Sequence, residues 1–205
     1  MHSSRWVRRD PDPEAARGVA QACGIRAAAG AVLAQRGCGE PECAQSFLHP
    51  RLRDLADPFA CEGMAPAVER IERALRSGEK VAVFGDYDVD GLTATALLVR
   101  VLRRLGGSVE PFVPHRIEEG YGLTAEALDR CLAELDPGLI VTVDCGTNAV
   151  DAVERARAAE VDVIVTDHHE PDSRIAAAVA VVNPKHGEQG VSGAPPAGVG
   201  VAFKL

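Results

Sequence analysis

Apolar and polar positions change period along this chain, and the change divides it. Between residues 64 and 76 apolar side chains recur at helical spacing (Ala67, Val68, Ile71, Ala74, Leu75), and Ser77-Gly78 closes the pattern. From residue 80 onward, short unbroken apolar runs alternate with stretches of helical period. The runs predict strands over 80–85, 109–113, 139–143 (LIVTV), 161–166 (VDVIVT) and roughly 178–182 (AVAVV). The stretches between them predict helices over about 92–105, 124–135 and 147–159, the first with an apolar face through Ala96, Leu97, Val99, Val101, Leu102 and Leu105. Strands alternating with helices imply right-handed crossovers. The expected fold is therefore α/β, a parallel sheet with helices on both faces.

The pattern before residue 64 is weaker. Residues 13–36 predict two short helices broken near Gly24, with Gly37 as a C-cap, and residues 41–66 read as a packed connector carrying Phe47, Leu48, Leu52, Leu55 and Phe59. This gives a helical N-terminal segment and connector over 1–60 and an α/β domain over 61–205. The last stretch, GAPPAGVGVAFKL, predicts a Gly/Pro loop and then the opening turn of a helix, so the domain is expected to be truncated at its C-terminal end.

Composition changes the picture in three respects. Apolar residues make up 46% and aromatics only 4%, so a sizeable core must be built from Val, Ala, Leu and Ile. The net charge of −8 argues against a nucleic-acid partner, unless several aspartates hold divalent cations and reverse the local field. No secretory h-region is visible, and no apolar run approaches the roughly 20 residues of a membrane-spanning helix. The six cysteines, Cys23, Cys38, Cys43, Cys61, Cys131 and Cys145, accordingly read as reduced thiols of a cytoplasmic protein. Cys38 and Cys43 raise zinc, but neither a CxxC pair nor a His-x-His partner accompanies them.

The candidate chemistry sits where three predicted strands end. The first runs into Asp86, Asp88 and Asp90, the LIVTV strand into Asp144, and VDVIVT into Asp167, His168 and His169. In open parallel sheets ligands bind at the carboxyl ends of the strands, near the point where strand order reverses. If the chain stays extended through Asp86-x-Asp88-x-Asp90, the period of two puts these carboxylates on one face, and Gly91 then turns the chain into a helix starting at Leu92. Clustered carboxylates raise one another's pKa unless a cation compensates them, and an oxygen-rich set with one or two imidazoles suits Mn²⁺ or Mg²⁺. Taken singly, Asp90 reads equally well as an N-cap.

Several stretches together resemble the DHH phosphoesterase superfamily and, within it, the N-terminal part of the RecJ-type single-strand-specific exonucleases. They are LAQRG (33–37), FLHPRLRDLADPF (47–59), MAPAVERIERAL (64–75), GDYDVDGLTATALLV (85–99), PHRIEEGYGL (114–123), VTVDCG (141–146), VTDHHEP (165–171), VVNPK (181–185) and AGVGVAFKL (197–205). The resemblance implies a two-metal phosphodiesterase that degrades single-stranded DNA from its 5′ end in repair and recombination, with single-strand-binding protein and helicase as partners. It implies that Asp88 and Asp90 each bind one ion, that Asp144 bridges the pair and that His168 ligates the second. Asp86 would be a further ligand or support one, and His169 would meet the scissile phosphate. Asp88, Asp90, Asp144, His168 and His169 would thus be catalytic. Several relatives carry a His where this chain has Phe84, and a later Asp of a fourth motif lies beyond residue 205, so the 205-residue chain is expected to be inactive by itself.

Arg116 and Tyr121, at the end of the second strand, could hold a phosphate and stack on a base, or Arg116 could pair with Glu118 or Glu119. Asn183 and Lys185 follow the last strand and could approach a DNA backbone. Gly198 and Gly200 could offer N–H groups to phosphate or serve a tight helix–strand contact. Arg100, Arg103 and Arg104 read as a solvated helix face, and Cys145 as a small filler. Other readings of the same site are a phosphodiesterase or pyrophosphatase acting on short oligonucleotides, cyclic dinucleotides or pyrophosphate, a haloacid-dehalogenase-like phosphatase, and a DNA-binding scaffold without catalysis.

Overall fold

The computed structural model of the chain describes residues 10–187 and 196–205, and the chain divides into two compact units between Leu55 and Ala56. Most of the expected Gly/Pro loop, and the first nine residues of the polar stretch read for a secretory signal, lie outside the described residues.

In the first unit α1 (Pro13–Cys23) and α2 (Ala27–Gln35) are the two expected helices. Gly24 ends α1 at φ +64°, and the Ile25 N–H reaches back to the Ala20 carbonyl; Gly37 and Cys38 repeat the arrangement after α2, on Ala34 and Leu33. Both are Schellman closures, which need a left-handed residue and so select glycine. The connector differs from expectation, because residues Pro41–Leu48 form a third helix, α3. Its apolar residues are too few to show a period, but Pro41 stands at its first turn, where a missing N–H costs nothing. Val19, Leu33 and Ala44 bring the three helices together.

The second unit begins with α4 (Met64–Ser77) and continues as β1 (Lys80–Gly85), α5 (Val89–Arg104), β2 (Ser108–Phe112), α6 (Ala125–Leu135), β3 (Leu139–Val143), α7 (Val150–Ala158), β4 (Asp162–Thr166), β5 (Ala180–Val182) and α8 (Gly198–Lys204). The strands form one parallel sheet in the order β2-β1-β3-β4-β5. The chain leaves β1 to build β2 on one side and then crosses to β3 on the other, so strand order reverses between β1 and β3.

The period of two along each strand feeds two cores. Val81, Val83, Leu139, Val141, Val143 and Ile164 face α4, α5 and α8, whereas Ala82, Phe84, Ile140, Val163 and Val165 face α6 and α7. Phe84 is fully buried and its ring stacks on Phe112, 5.2 Å between centroids. Among the described residues no helix is long and apolar enough to cross a membrane.

One buried cation ties α4 to the amino edge of the sheet. Arg70 donates from Nε to Asp162 at 2.6 Å and from its two terminal nitrogens to Glu79 at 2.8 and 2.7 Å. Glu79 precedes β1 and Asp162 opens β4, so a single guanidinium holds both strand starts. Arg70→Ala leaves Glu79 without this partner and Asp162 with Arg73 alone, and is expected to cost about 2–3 kcal/mol in urea unfolding, less than a wholly buried pair because both carboxylates are partly solvated.

Candidate metal centre

Register explains why the aspartates meet. Gly85 pairs with Val143, and Val143 with Thr166, so the next residue on each strand, Asp86, Asp144 and Asp167, stands in one row across three neighbouring strands. The backbone carries the ladder one step further: Asp86 donates to Val143, Asp144 to Thr166, and Asp167 to Val182. This row lies at the carboxyl edge and includes the β1/β3 reversal point.

Asp86 is fully buried, and neither of its carboxylate oxygens has a hydrogen-bond partner. Burial raises its pKa. Asp144 is also buried, with one oxygen, Oδ1, unpartnered and its backbone at φ +63°, a left-handed conformation that a non-glycine residue adopts only when its surroundings impose it. Burial first, then the charges of Asp90 and Asp88, push its carboxyl up to about 7. His168 Nε2 lies 3.1 Å from Asp144 Oδ1 and 3.7 Å from Asp90 Oδ2, without hydrogen-bond alignment to Asp144. Buried acceptors without donors are rare because the desolvation cost goes unrecovered. A cation removes that cost, and the donor set fits one: ligand atoms of Asp86, Asp88 and Asp144 lie within 4.8 Å of one another, as do those of Asp144, His168 and His169. Asp144 belongs to both groups.

Asp167 plays a different part. Its Oδ1 accepts from the His168 and His169 N–H groups at 2.7 and 3.1 Å and lies 2.7 Å from His169 Nδ1, while Oδ2 accepts from the Thr147 N–H at 3.0 Å. Burial opposes ionisation of Asp167, but bonds from Thr147 and His169 outweigh it and hold its pKa below the ordinary value. A carboxylate only accepts, so Nδ1 of His169 carries the proton and a neutral ring accepts from the Tyr121 hydroxyl at Nε2, 2.9 Å away. Burial and the charges of Asp86, Asp144 and Asp167 keep that phenol protonated by raising its pKa.

The model of the DHH family, N-terminal domain, matches residues 80–205. The chain belongs to the DHH family. It is 38% identical over 201 residues to the single-stranded-DNA-specific exonuclease RecJ of Bacillus subtilis (strain 168), covering 98% of this chain and 25% of that protein. With the RecJ exonuclease of Thermus thermophilus it shares 41% identity over 174 residues, 80% of this chain and 25% of the relative. The chain thus spans about a quarter of the length of these relatives. Among solved structures, RecJ of Thermus thermophilus in complex with Mn²⁺ superposes with a TM-score of 0.71 at 34% identity, covering 95% of this chain and 26% of that one. Exonuclease RecJ bound to manganese gives 0.64 at 42% identity, over 70% and 36%.

Within this DHH domain the acidic run after β1 is built differently from the extended alternation read in the sequence. The strand stops at Gly85, and α5 starts at Val89, three residues before the expected Leu92. Asp88 is the N-cap, accepting from the Gly91 N–H at 2.9 Å, and Asp90 lies in the first helical turn. The cap therefore falls to Asp88, not Asp90. Asp90 instead accepts from the Gly198 and Val199 N–H groups at the start of α8, each at 2.7 Å, and belongs to neither ligand group. Gly91 serves close approach and not a turn: a Cβ there would press on the backbone of Asp86, 2.7 Å from both its N and C atoms. Gly91→Ala is expected to lower stability by about 1–3 kcal/mol and to weaken Mn²⁺ binding, as read by thermal melts with and without the ion.

Gly198 is also a tight-contact glycine. Its N–H is given to Asp90, and a Cβ would stand 2.6 Å from Asp144 Cγ, so the phosphate-binding alternative does not apply to it. Asn183 departs from expectation as well. It is fully buried, its amide donating to Thr147 Oγ1 and the His169 carbonyl and accepting from the Lys185 N–H, so it braces the His169 loop and does not reach outward to a DNA backbone. Lys185 pairs with Glu170 at 2.8 Å. Arg116 pairs with neither candidate glutamate: its guanidinium lies 5.0 Å over the Tyr87 ring, while Glu119 binds Arg130. Tyr87 meets Tyr121 edge-on, and Tyr121 meets His169 in the same way. Arg103 is not free in solvent either, since it binds Glu110 and the Val109 carbonyl. Cys145 is a buried filler. Sequence reasoning missed Thr147 and Tyr87; the first follows the DCG run directly, and the second sits between two candidate ligands.

Proposed function

We propose that the protein carrying this chain is a metal-dependent exonuclease that hydrolyses the phosphodiester bonds of single-stranded DNA from the 5′ end. The observation that carries this reading is the buried Asp86 carboxylate without a partner, beside the equally buried Asp144, in a chain whose relatives are named single-stranded-DNA-specific exonucleases and were solved with Mn²⁺. Asp86, Asp88 and Asp144 would hold one cation; Asp144 and His168 would hold the other, with Asp90 beside them. Held there, Mn²⁺ or Mg²⁺ would supply positive charge to stabilise the transition state and would lower the pKa of an attacking water.

The side chains do the rest. Asp144, which belongs to both ligand groups, would contribute to holding each cation. Asp167 and Tyr121 set the ring of His169, which faces the scissile phosphate. Arg116, Tyr87 and Tyr121 present a cation and two aromatic rings along the same edge, suited to phosphate and bases of an unpaired strand. Lys185 contacts the strand after release from Glu170. Residues 61–205 form the DHH domain, following an N-terminal segment over 1–60. On this reading the protein acts in the cytoplasm, in DNA repair and recombination, beside a single-strand-binding protein and a helicase.

The test is a protein of the relatives' length carrying this chain, given Mn²⁺ and 5′-phosphorylated single strands. Release of mononucleotides from the 5′ end, with duplex left intact, supports the proposal. No release, or equal digestion of duplex, overturns it.

A further inference from the structure

The first unit holds a second reactive arrangement. Cys38 and Cys43 approach with their sulfurs 2.9 Å apart, closer than unbonded sulfurs rest in van der Waals contact, as free thiols joined by an S–H···S hydrogen bond. The backbone holds each from its own side. The Cys38 N–H is fixed to the Leu33 carbonyl by the closure of α2, and Cys43 lies in the first turn of α3 after Pro41. Cys43 is exposed and Cys38 half-buried, so small molecules can reach the pair. Among the described residues no third donor stands with them in a metal-binding group.

We propose that Cys38 and Cys43 form a reversible thiol–disulfide site, oxidised by a small-molecule disulfide such as oxidised glutathione. Cys43 is the attacking sulfur, being the more exposed of the two. It displaces one thiolate from the small disulfide and becomes a mixed disulfide. Cys38 then loses its proton to solvent and attacks the Cys43 sulfur, expelling the second small thiolate. Two protein thiols are oxidised, and one small disulfide is reduced to two thiols.

Selectivity follows from burial. Cys61, Cys131 and Cys145 are buried and their thiols are pushed up by desolvation, to about 12 for Cys131, so they hold little thiolate at neutral pH. The product would staple the end of α2 to the start of α3 and make the helical unit respond to the surrounding thiol–disulfide poise.

The experiment treats the 205-residue chain with oxidised glutathione and maps its peptides by mass. The expected product is one intramolecular Cys38–Cys43 link, with loss of about two mass units and reversal by excess reduced glutathione. Cys38→Ser is expected to trap glutathione on Cys43 as a stable adduct, whereas Cys43→Ser should be modified at Cys38 about tenfold more slowly. A link through Cys23, cross-linked dimers as the main product, or equal adduct formation on both variants would overturn the proposal. None of these readouts depends on nuclease activity.

Discussion

Replacing Asp144 with asparagine is expected to make the cation-free chain more stable and to weaken Mn²⁺ binding sharply. In the folded chain the Asp144 carboxyl titrates near 7, far above its ordinary value of 3.8. Below about pH 4 it is protonated in both the folded and unfolded chain and costs nothing. As pH rises, the unfolded carboxyl ionises first while the folded one keeps its proton, so stability falls. The loss is complete above about pH 7 and amounts to roughly 2–4 kcal/mol. The replacing amide carries no charge, so Asp144→Asn should recover about 1–3 kcal/mol at pH 8 and almost nothing at pH 4. Urea unfolding in chelator at the two pH values reads this directly. In the same variant, Mn²⁺ affinity should drop by at least about 100-fold, since a shared ligand is lost and not merely an outer partner. A variant no more stable than the parent at pH 8 would mean that the buried carboxylate is compensated by something other than a cation.

Asp167→Ala is expected to have the opposite sign and the largest cost to the fold. One carboxylate serves the N–H groups of Thr147, His168 and His169 and the His169 ring. Alanine leaves these donors unsatisfied inside the protein, at a cost of about 3–5 kcal/mol in equilibrium unfolding at neutral pH. Its lowered pKa gives the matching pH signature: the stabilisation is present above the ordinary carboxylate pKa and is lost as pH falls toward the folded value. The two aspartates therefore tilt the pH profile in opposite directions, and each variant should remove one slope. A loss under about 1 kcal/mol for Asp167→Ala would show that water satisfies those donors.

Much of this arrangement is legible in the chain. Runs such as LIVTV are apolar because β3 is covered on both faces, and parallel strands of that kind leave an unmistakable block in the sequence. Their carboxyl ends follow from the βα order, so Asp86, Asp144 and Asp167 fall on one edge by that order alone. What the pattern does not show is local backbone competition. Asp88-Val89-Asp90 alternates as a strand would, yet the cap bond from Gly91 to Asp88 draws Val89 into α5 three residues early. Asp90 is also out of reach, because its partners at Gly198 and Val199 lie more than a hundred residues along the chain. Asn183 is misjudged because a polar side chain at a functional edge reads as a substrate contact, and only its burial reveals that the protein itself has claimed it. Helix α3 escapes notice because eight residues give too few apolar positions to fix a period.

Electron paramagnetic resonance of the chain titrated with Mn²⁺ tests most directly the proposal that Asp144 serves two cations at once. Two ions sharing one carboxylate are exchange-coupled, so saturation is predicted to replace the sextet of an isolated Mn²⁺ with a broadened, many-line spectrum that Asp144→Asn does not give. An uncoupled sextet at saturation, or the same spectrum from both proteins, would contradict it.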